Sequence, residues 1–206
     1  MIVIGLTGSI GMGKSTAAAR FRELGIAVFD ADAQVHELYR GAAVPEIERA
    51  FPGTTRDGAV DRAKLLAELM RQPDGFKRLE AIVHPLVRGA ERAFLTEQHA
   101  AGAMAAVLEI PLLFETGGDK LVDATVVVSA PAEAQRARVL ARPGMTDAKL
   151  DEILARQMSD GEKRARADFV VETSGTIPQT QAAIDKLIPA LLRMDAVAYH
   201  RHWGTA

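Results

Sequence analysis

The sequence predicts an α/β domain with a five-stranded, mostly parallel sheet wrapped by helices on both faces, and three observations predict it. Short apolar runs recur at 2–7, 26–29, 104–108, 124–128 and 169–171, the first rich in β-branched residues and without polar alternation, as a doubly covered strand reads. Helical patterns lie between them, and the first strand–helix–strand unit closes within about 30 residues. Apolar residues make up 48% and charged residues 25% of the 206, which suits one globular domain with insertions and a core that needs no staples.

Taken in order, residues 2–7 run into a glycine-rich turn at 8–13, and the helical pattern KSTAAARFREL follows at 14–24 until Gly25 stops it. The second strand, 26–29, is expected to end beside that turn and leads into Asp30-Ala31-Asp32. Residues 44–100 interrupt the rhythm with turn signals at Phe51-Pro52-Gly53, Asp57-Gly58 and Gln72-Pro73-Asp74-Gly75. Helical patterns separate these turns and no strand pattern is present, so an inserted helical subdomain is expected. A second insertion, 131–167, gathers Arg136, Arg138, Arg142, Arg156, Arg164 and Arg166. The core then comprises 1–43, 101–130 and 168–193. The tail 194–206, with Tyr199, His200, His202 and Trp203, is expected to be loosely held.

Composition excludes several classes. A net charge of −2 offers no general attraction to a polyanion, so nucleic acid is not an expected partner. No apolar run reaches the roughly 18 residues of a membrane span. The opening MIVIGLTGS lacks a basic segment before its apolar stretch, so no secretory signal is expected. Zero cysteines leave no disulfide, thiol nucleophile or thiolate metal site. These features fit a cytoplasmic protein, with oligomeric state left open and a monomer among the options.

The turn carries the chemistry. Gly8-Ser9-Ile10-Gly11-Met12-Gly13-Lys14-Ser15 matches G-x-x-x-x-G-K-[ST], a pattern that composition alone produces in roughly one chain in a hundred of this size. Its location between a strand and a helix makes coincidence far rarer. Glycines allow successive N–H groups to turn inward as an anion nest, and the helix start adds its partial positive end. Lys14 supplies a point charge for β- and γ-phosphates, and the Ser15 hydroxyl is suited to Mg²⁺. A nucleoside triphosphate with Mg²⁺ is therefore expected.

Several nucleotide users can be set aside. A guanine-reading switch needs N/T-K-x-D, and Lys120-Leu121-Val122-Asp123 lacks both the leading residue and the spacing. No Asp is followed three residues later by Gly, as D-x-x-G requires. Motor ATPases need a strand-borne acidic box, and Val107-Leu108-Glu109 is the nearest approach; Glu109 is not assigned as a metal ligand. A small kinase remains, against a nucleotide-dependent switch and a nucleoside monophosphate kinase as alternatives. Asp30 and Asp32 follow the second strand, where open parallel sheets bind ligands. Either can cap the next helix, which leaves the other to orient an acceptor hydroxyl.

These residues resemble the dephospho-CoA kinase family over nearly the whole chain, from Ile2 to about Leu192. The likeness is carried by Gly5 to Thr16, Asp30-Ala31-Asp32, Asp61-Arg62, the stretch from Leu79 through His84-Pro85 to Arg88, and Pro111-Leu112-Leu113-Phe114-Glu115. Gln157, Lys163-Arg164, Ala167-Asp168-Phe169 and Ser174-Gly175 continue it. The resemblance implies a P-loop, nucleoside-monophosphate-kinase-like fold with a CoA-binding insertion at 44–100 and a lid at 131–167. It implies transfer of the γ-phosphoryl group of ATP to the ribose 3′-hydroxyl of dephospho-CoA, with Mg²⁺. On the nucleotide side it implies Gly8, Gly11, Met12, Gly13, Lys14, Ser15, Thr16, Gly175 and the lid residue Arg142; Ser15 would hold the metal. Asp32 would be the base, with Lys14 and Arg142 supporting transfer. On the acceptor side stand Lys77, His84, Arg88 and Glu115, against ordinary roles as solvated, packed or capping residues. Thr173 stands where many members carry Asn, Ser9 where Gly is common, and Met12 where Ser is common.

Overall fold

The computed structural model describes residues 1–204. β1 (Ile2–Thr7), buried along its whole length, feeds α1 (Lys14–Glu23), which returns to β2 (Ala27–Asp30). α2 (Ala31–Leu38) and α3 (Val44–Ala50) precede two short strands, β3 (Thr55–Arg56) and β4 (Ala59–Val60). α4 (Arg62–Arg71) and the long α5 (Gly75–Ala100) lead to β5 (Ala105–Glu109). β6 (Ala124–Ser129) is followed by α6 (Ala132–Leu140), α7 (Asp147–Leu154) and α8 (Asp160–Arg166), then β7 (Phe169–Glu172) and α9 (Ile177–Leu191).

Five strands form one sheet in the order β2-β5-β1-β6-β7. β1 pairs in parallel with β5 and β6, and β6 with β7. The chain moves outward from β1 to β2, returns to β5, then crosses to β6 and β7. The strand order thus reverses at β1, whose carboxyl end is where such sheets bind ligands. β5 lies between β1 and β2, so the expected side-by-side approach of the second strand to the first is replaced by Glu109 at the end of β5. Continuous apolar runs explain the burial: Ile4, Leu6, Val107, Val126 and Val128 pack with Ala17, Ala18 and Phe21 of α1 and Ile184 and Leu191 of α9.

The chain divides into two compact units, residues 1–29 with 95–206, and residues 30–94. The second has its own core of Leu38, Ile47, Phe51, Val60, Leu65 and Leu69. It also corrects the expectation of an all-helical insertion, because β3 and β4 form an antiparallel hairpin pairing Thr55 with Val60 and Arg56 with Ala59. Asp57-Gly58 makes the turn with both φ angles positive, 52° and 77°. Each strand is two residues long, too short for alternation to reveal it.

The tail differs from expectation too. Residues Tyr199–Trp203 form a π-helical turn, and Trp203 is 1% exposed, donating from Nε1 to Leu121 O at 2.7 Å. Asp123 ties the approach to it, accepting from Val197 N and Ala198 N at one oxygen and from Val3 N at the other. Tyr199 stacks on His99 at 4.1 Å between ring centroids. One large aromatic and a few caps hold a segment whose composition reads as solvent-facing; Thr205 and Ala206 lie outside the described residues. Trp203→Ala is expected to cost about 3–5 kcal/mol in denaturant unfolding; a loss below about 1 kcal/mol would mean that the segment contributes little.

Candidate functional site

The turn after β1 holds three glycines whose positions leave a side chain no room or no relaxed backbone conformation. Gly8 approaches β6 so closely that a methyl group there would lie 2.7 Å from Val128 O. Gly11 and Gly13 take φ of 77° and 86°, the left-handed region that side chains avoid. Gly13 is also the N-cap of α1, and neither a side-chain cap nor an acidic residue satisfies that helix end. The amides of Gly11, Gly13, Lys14 and Ser15 have no acceptor among the described residues. Donors at a helix start have no intrahelical partner and stand open to water or a ligand. A cluster of them at a helix start is an anion site.

Side chains fix this loop from several directions. Gln157 accepts from Ile10 N at 3.2 Å, and Gln135 donates to Ile10 O at 2.8 Å. Thr173 Oγ1 donates to Met12 O at 2.8 Å, while Arg138 donates to Thr173 O at 2.5 Å. Met12 is buried, and its sulfur accepts from Ala130 N at 3.1 Å. Thr173, lacking the amide expected in many relatives of the motif, therefore serves the loop backbone. Gly175 lies two residues on, in the bend before Thr176 caps α9.

Lys14 reaches Glu109 Oε1 at 2.9 Å, and the Glu109 side chain is only 4% exposed. The parallel register pairs Glu109 with Leu6, so the carboxylate flanks the start of the loop. Ser15 is exposed and Thr16 half-buried in the first turn of α1. Beyond β5, Pro111 O accepts from both Thr7 Oγ1 and Lys163 Nζ, each at 3.1 Å. Lys163 is completely buried and also pairs with Glu115 at 3.0 Å, whose same oxygen accepts from Met158 N. Glu115 is therefore engaged inside this unit. Arg142 lies just past α6, exposed, with no side-chain partner among the described residues.

In the second unit, the two aspartates separate by role. Asp30 is the N-cap of α2, accepting from Ala33 N at 2.9 Å. Asp32 lies in the first turn of α2, exposed, and its carboxylate makes no contact with a donor among the described residues. Its backbone carbonyl accepts from His36 Nδ1 at 2.8 Å, and Arg62 reaches His36 Nε2 at 2.7 Å. A guanidinium only donates and a carbonyl only accepts, so Nε2 is the acceptor of the one bond and Nδ1 the donor of the other. Lys77, His84 and Arg88 recur at intervals of seven and four along α5, which puts them in one stripe. Lys77 and His84 are exposed; Arg88 pairs with Glu91 at 3.0 Å. Burial pushes the Glu91 carboxyl above the usual range, and Arg88 opposes this.

Sequence reasoning missed the loop's wardens. Gln135 and Arg138 lie in a helix that reads as solvated, and Lys163 reads as a surface cation, yet each contacts the loop or its supporting segment. The available signal for Glu109 was an apolar strand closing on one carboxylate.

Residues 2–179 match the family model for dephospho-CoA kinase. The chain is similar to a dephospho-CoA kinase of Rhodopseudomonas palustris, strain HaA2, at 58% identity over 94% of this chain and 98% of that one. It is 56% identical to a dephospho-CoA kinase of Brucella melitensis over 96% of this chain and 99% of that one. Among solved structures, a Thermus thermophilus protein designated TT1252 superposes with a TM-score of 0.80 at 38% identity, covering 92% and 97% of the two chains.

The division between the aspartates has a thermodynamic signature. Asp30→Ala is expected to lower unfolding free energy by about 1 kcal/mol. Asp32→Asn should stay within about 0.5 kcal/mol of the parent. Equal losses in the two variants would contradict it.

Proposed function

The chain belongs to the dephospho-CoA kinase family, and we infer that it transfers the γ-phosphoryl group of ATP to the ribose 3′-hydroxyl of dephospho-CoA, the last step of coenzyme A biosynthesis. One observation carries the reading. The bare amides of Gly11, Gly13, Lys14 and Ser15 form a cradle for the phosphates beside the Lys14 ammonium, at the end of the strand where the sheet order reverses.

In this reading Gly8, Gly11, Met12, Gly13, Lys14, Ser15 and Thr16 hold the triphosphate, with Gly175 on the nucleotide side. No group of three or more metal-binding side chains is present among the described residues. Mg²⁺ commonly rests on one or two protein groups plus phosphate oxygens, and the exposed Ser15 hydroxyl fits that habit. When bound, Mg²⁺ supplies positive charge to the β- and γ-phosphate oxygens. Asp32, without a protein donor, orients the acceptor hydroxyl and takes its proton as the phosphoryl group departs. A loose transition state asks mainly for such positioning and charge. Arg142, also unpartnered, closes from the 131–167 lid onto charge developing on the phosphoryl oxygens. Residues 44–100 bind the acceptor, with Lys77, His84 and Arg88 available to its phosphates, and Glu115 is a further acceptor-side candidate. The enzyme works in the cytoplasm on small molecules; no helix among the described residues is long and apolar enough to cross a membrane.

Coupled assays with dephospho-CoA and AMP at equal concentrations test the reading. Phosphorylation of dephospho-CoA is expected, and turnover of AMP alone would reject it. Asp32→Asn should keep ATP affinity and reduce kcat by about 10²-fold or more; an unchanged kcat would remove Asp32 from the reaction.

A further inference from the structure

Resting on the phosphate-cradle reading, we propose that Glu109 is an exchangeable counter-ion for Lys14, which must be displaced for polyphosphate to bind and which makes that binding depend on a divalent cation. Lys14 Nζ lies 2.9 Å from Glu109 Oε1, so the ammonium assigned to phosphate is already committed to a carboxylate. Glu109 ends a strand buried at every position and is itself 3% exposed. No other donor reaches its carboxylate among the described residues.

The consequence is electrostatic. When Lys14 swings to a phosphate, Glu109 is left as a buried anion with no cation, beside an incoming polyanion. An uncompensated charge in that environment is costly. The amide nest attracts phosphate but donates no hydrogen bond to the Glu109 carboxylate among the described residues. A divalent cation carried with the phosphates, near Ser15, restores the balance, because Ser15 adjoins Lys14 in the same helical turn. Metal-free polyphosphate must break the ion pair without that compensation. The carboxylate therefore acts as a filter: it weakens the binding of naked polyphosphate far more than that of its metal complex.

Isothermal titration of the intact protein with inorganic tripolyphosphate, and with ATP, tests this in EDTA and in excess Mg²⁺. For the wild type, affinity should be much higher with Mg²⁺. In Glu109→Gln, which keeps the side-chain length and removes the charge, metal-free affinity should rise by tenfold or more. The ratio of affinities with and without Mg²⁺ should fall by at least the same factor. Glu109→Met repeats the measurement should the amide prevent folding, as judged by thermal melting, and Glu109→Asp should retain a ratio near the wild type. An unchanged ratio in the neutral variants overturns the proposal, as does an Asp variant that behaves like them. A wild type that binds no polyphosphate under either condition would instead overturn the cradle reading itself, so the two failures are distinguishable.

Discussion

The fold turns on backbone amides left without partners. Nearly every buried N–H in a folded chain is paired, because an orphan forfeits its hydrogen bond to water without replacement. After β1 the half-buried Gly11, Gly13 and Lys14 and the exposed Ser15 present N–H groups with no protein acceptor among the described residues, at a helix start that has no side-chain cap. Such an arrangement survives only when the surrounding structure holds it. Val128 limits Gly8, Thr173 and Arg138 hold Met12 and its neighbours, and Gln135 and Gln157 grip the two polar groups of Ile10. The loop is thus preorganised, so binding phosphate does not have to order it first.

The same logic sorts the arginines of the 131–167 region. By composition they form one basic cluster. In the structure, Arg136 pairs with Asp147 and Asp151, Arg164 with Glu172 and Ser129, and Arg166 with Asp119 while covering the Phe114 ring. Arg138 serves the loop. Arg142 alone among these five has a guanidinium without a protein partner among the described residues. Unspent charge is what transition-state stabilisation requires, since an arginine already neutralised would have to break a bond before helping. A comparable separation holds for Asp30, which caps a helix, and Asp32, which does not.

Much of this architecture was legible in the sequence because it rests on local rules. β1 begins and ends where its apolar run does, and the glycines of the turn occupy the positive φ angles their spacing implies. The remaining features depend on partners far along the chain. Whether Asp30 or Asp32 caps α2 is a matter of one hydrogen bond, to which a pattern with two candidates is blind. The β3–β4 hairpin is too short for periodicity, and the docked tail depends on Trp203 finding Leu121. Lys163 looks like any helix lysine until its distant partners Glu115 and Pro111 are known. Pairings of this kind have no local signature, so they escape a reading made one segment at a time.

Amide nuclear magnetic resonance of the labelled protein tests the central claim most directly, by following Gly11, Gly13, Lys14 and Ser15 during addition of a non-hydrolysable ATP analogue with Mg²⁺. Charge-assisted hydrogen bonds to phosphate should move these four resonances downfield and slow their exchange with solvent. Saturating nucleotide that leaves all four shifts and exchange rates unchanged would contradict the account.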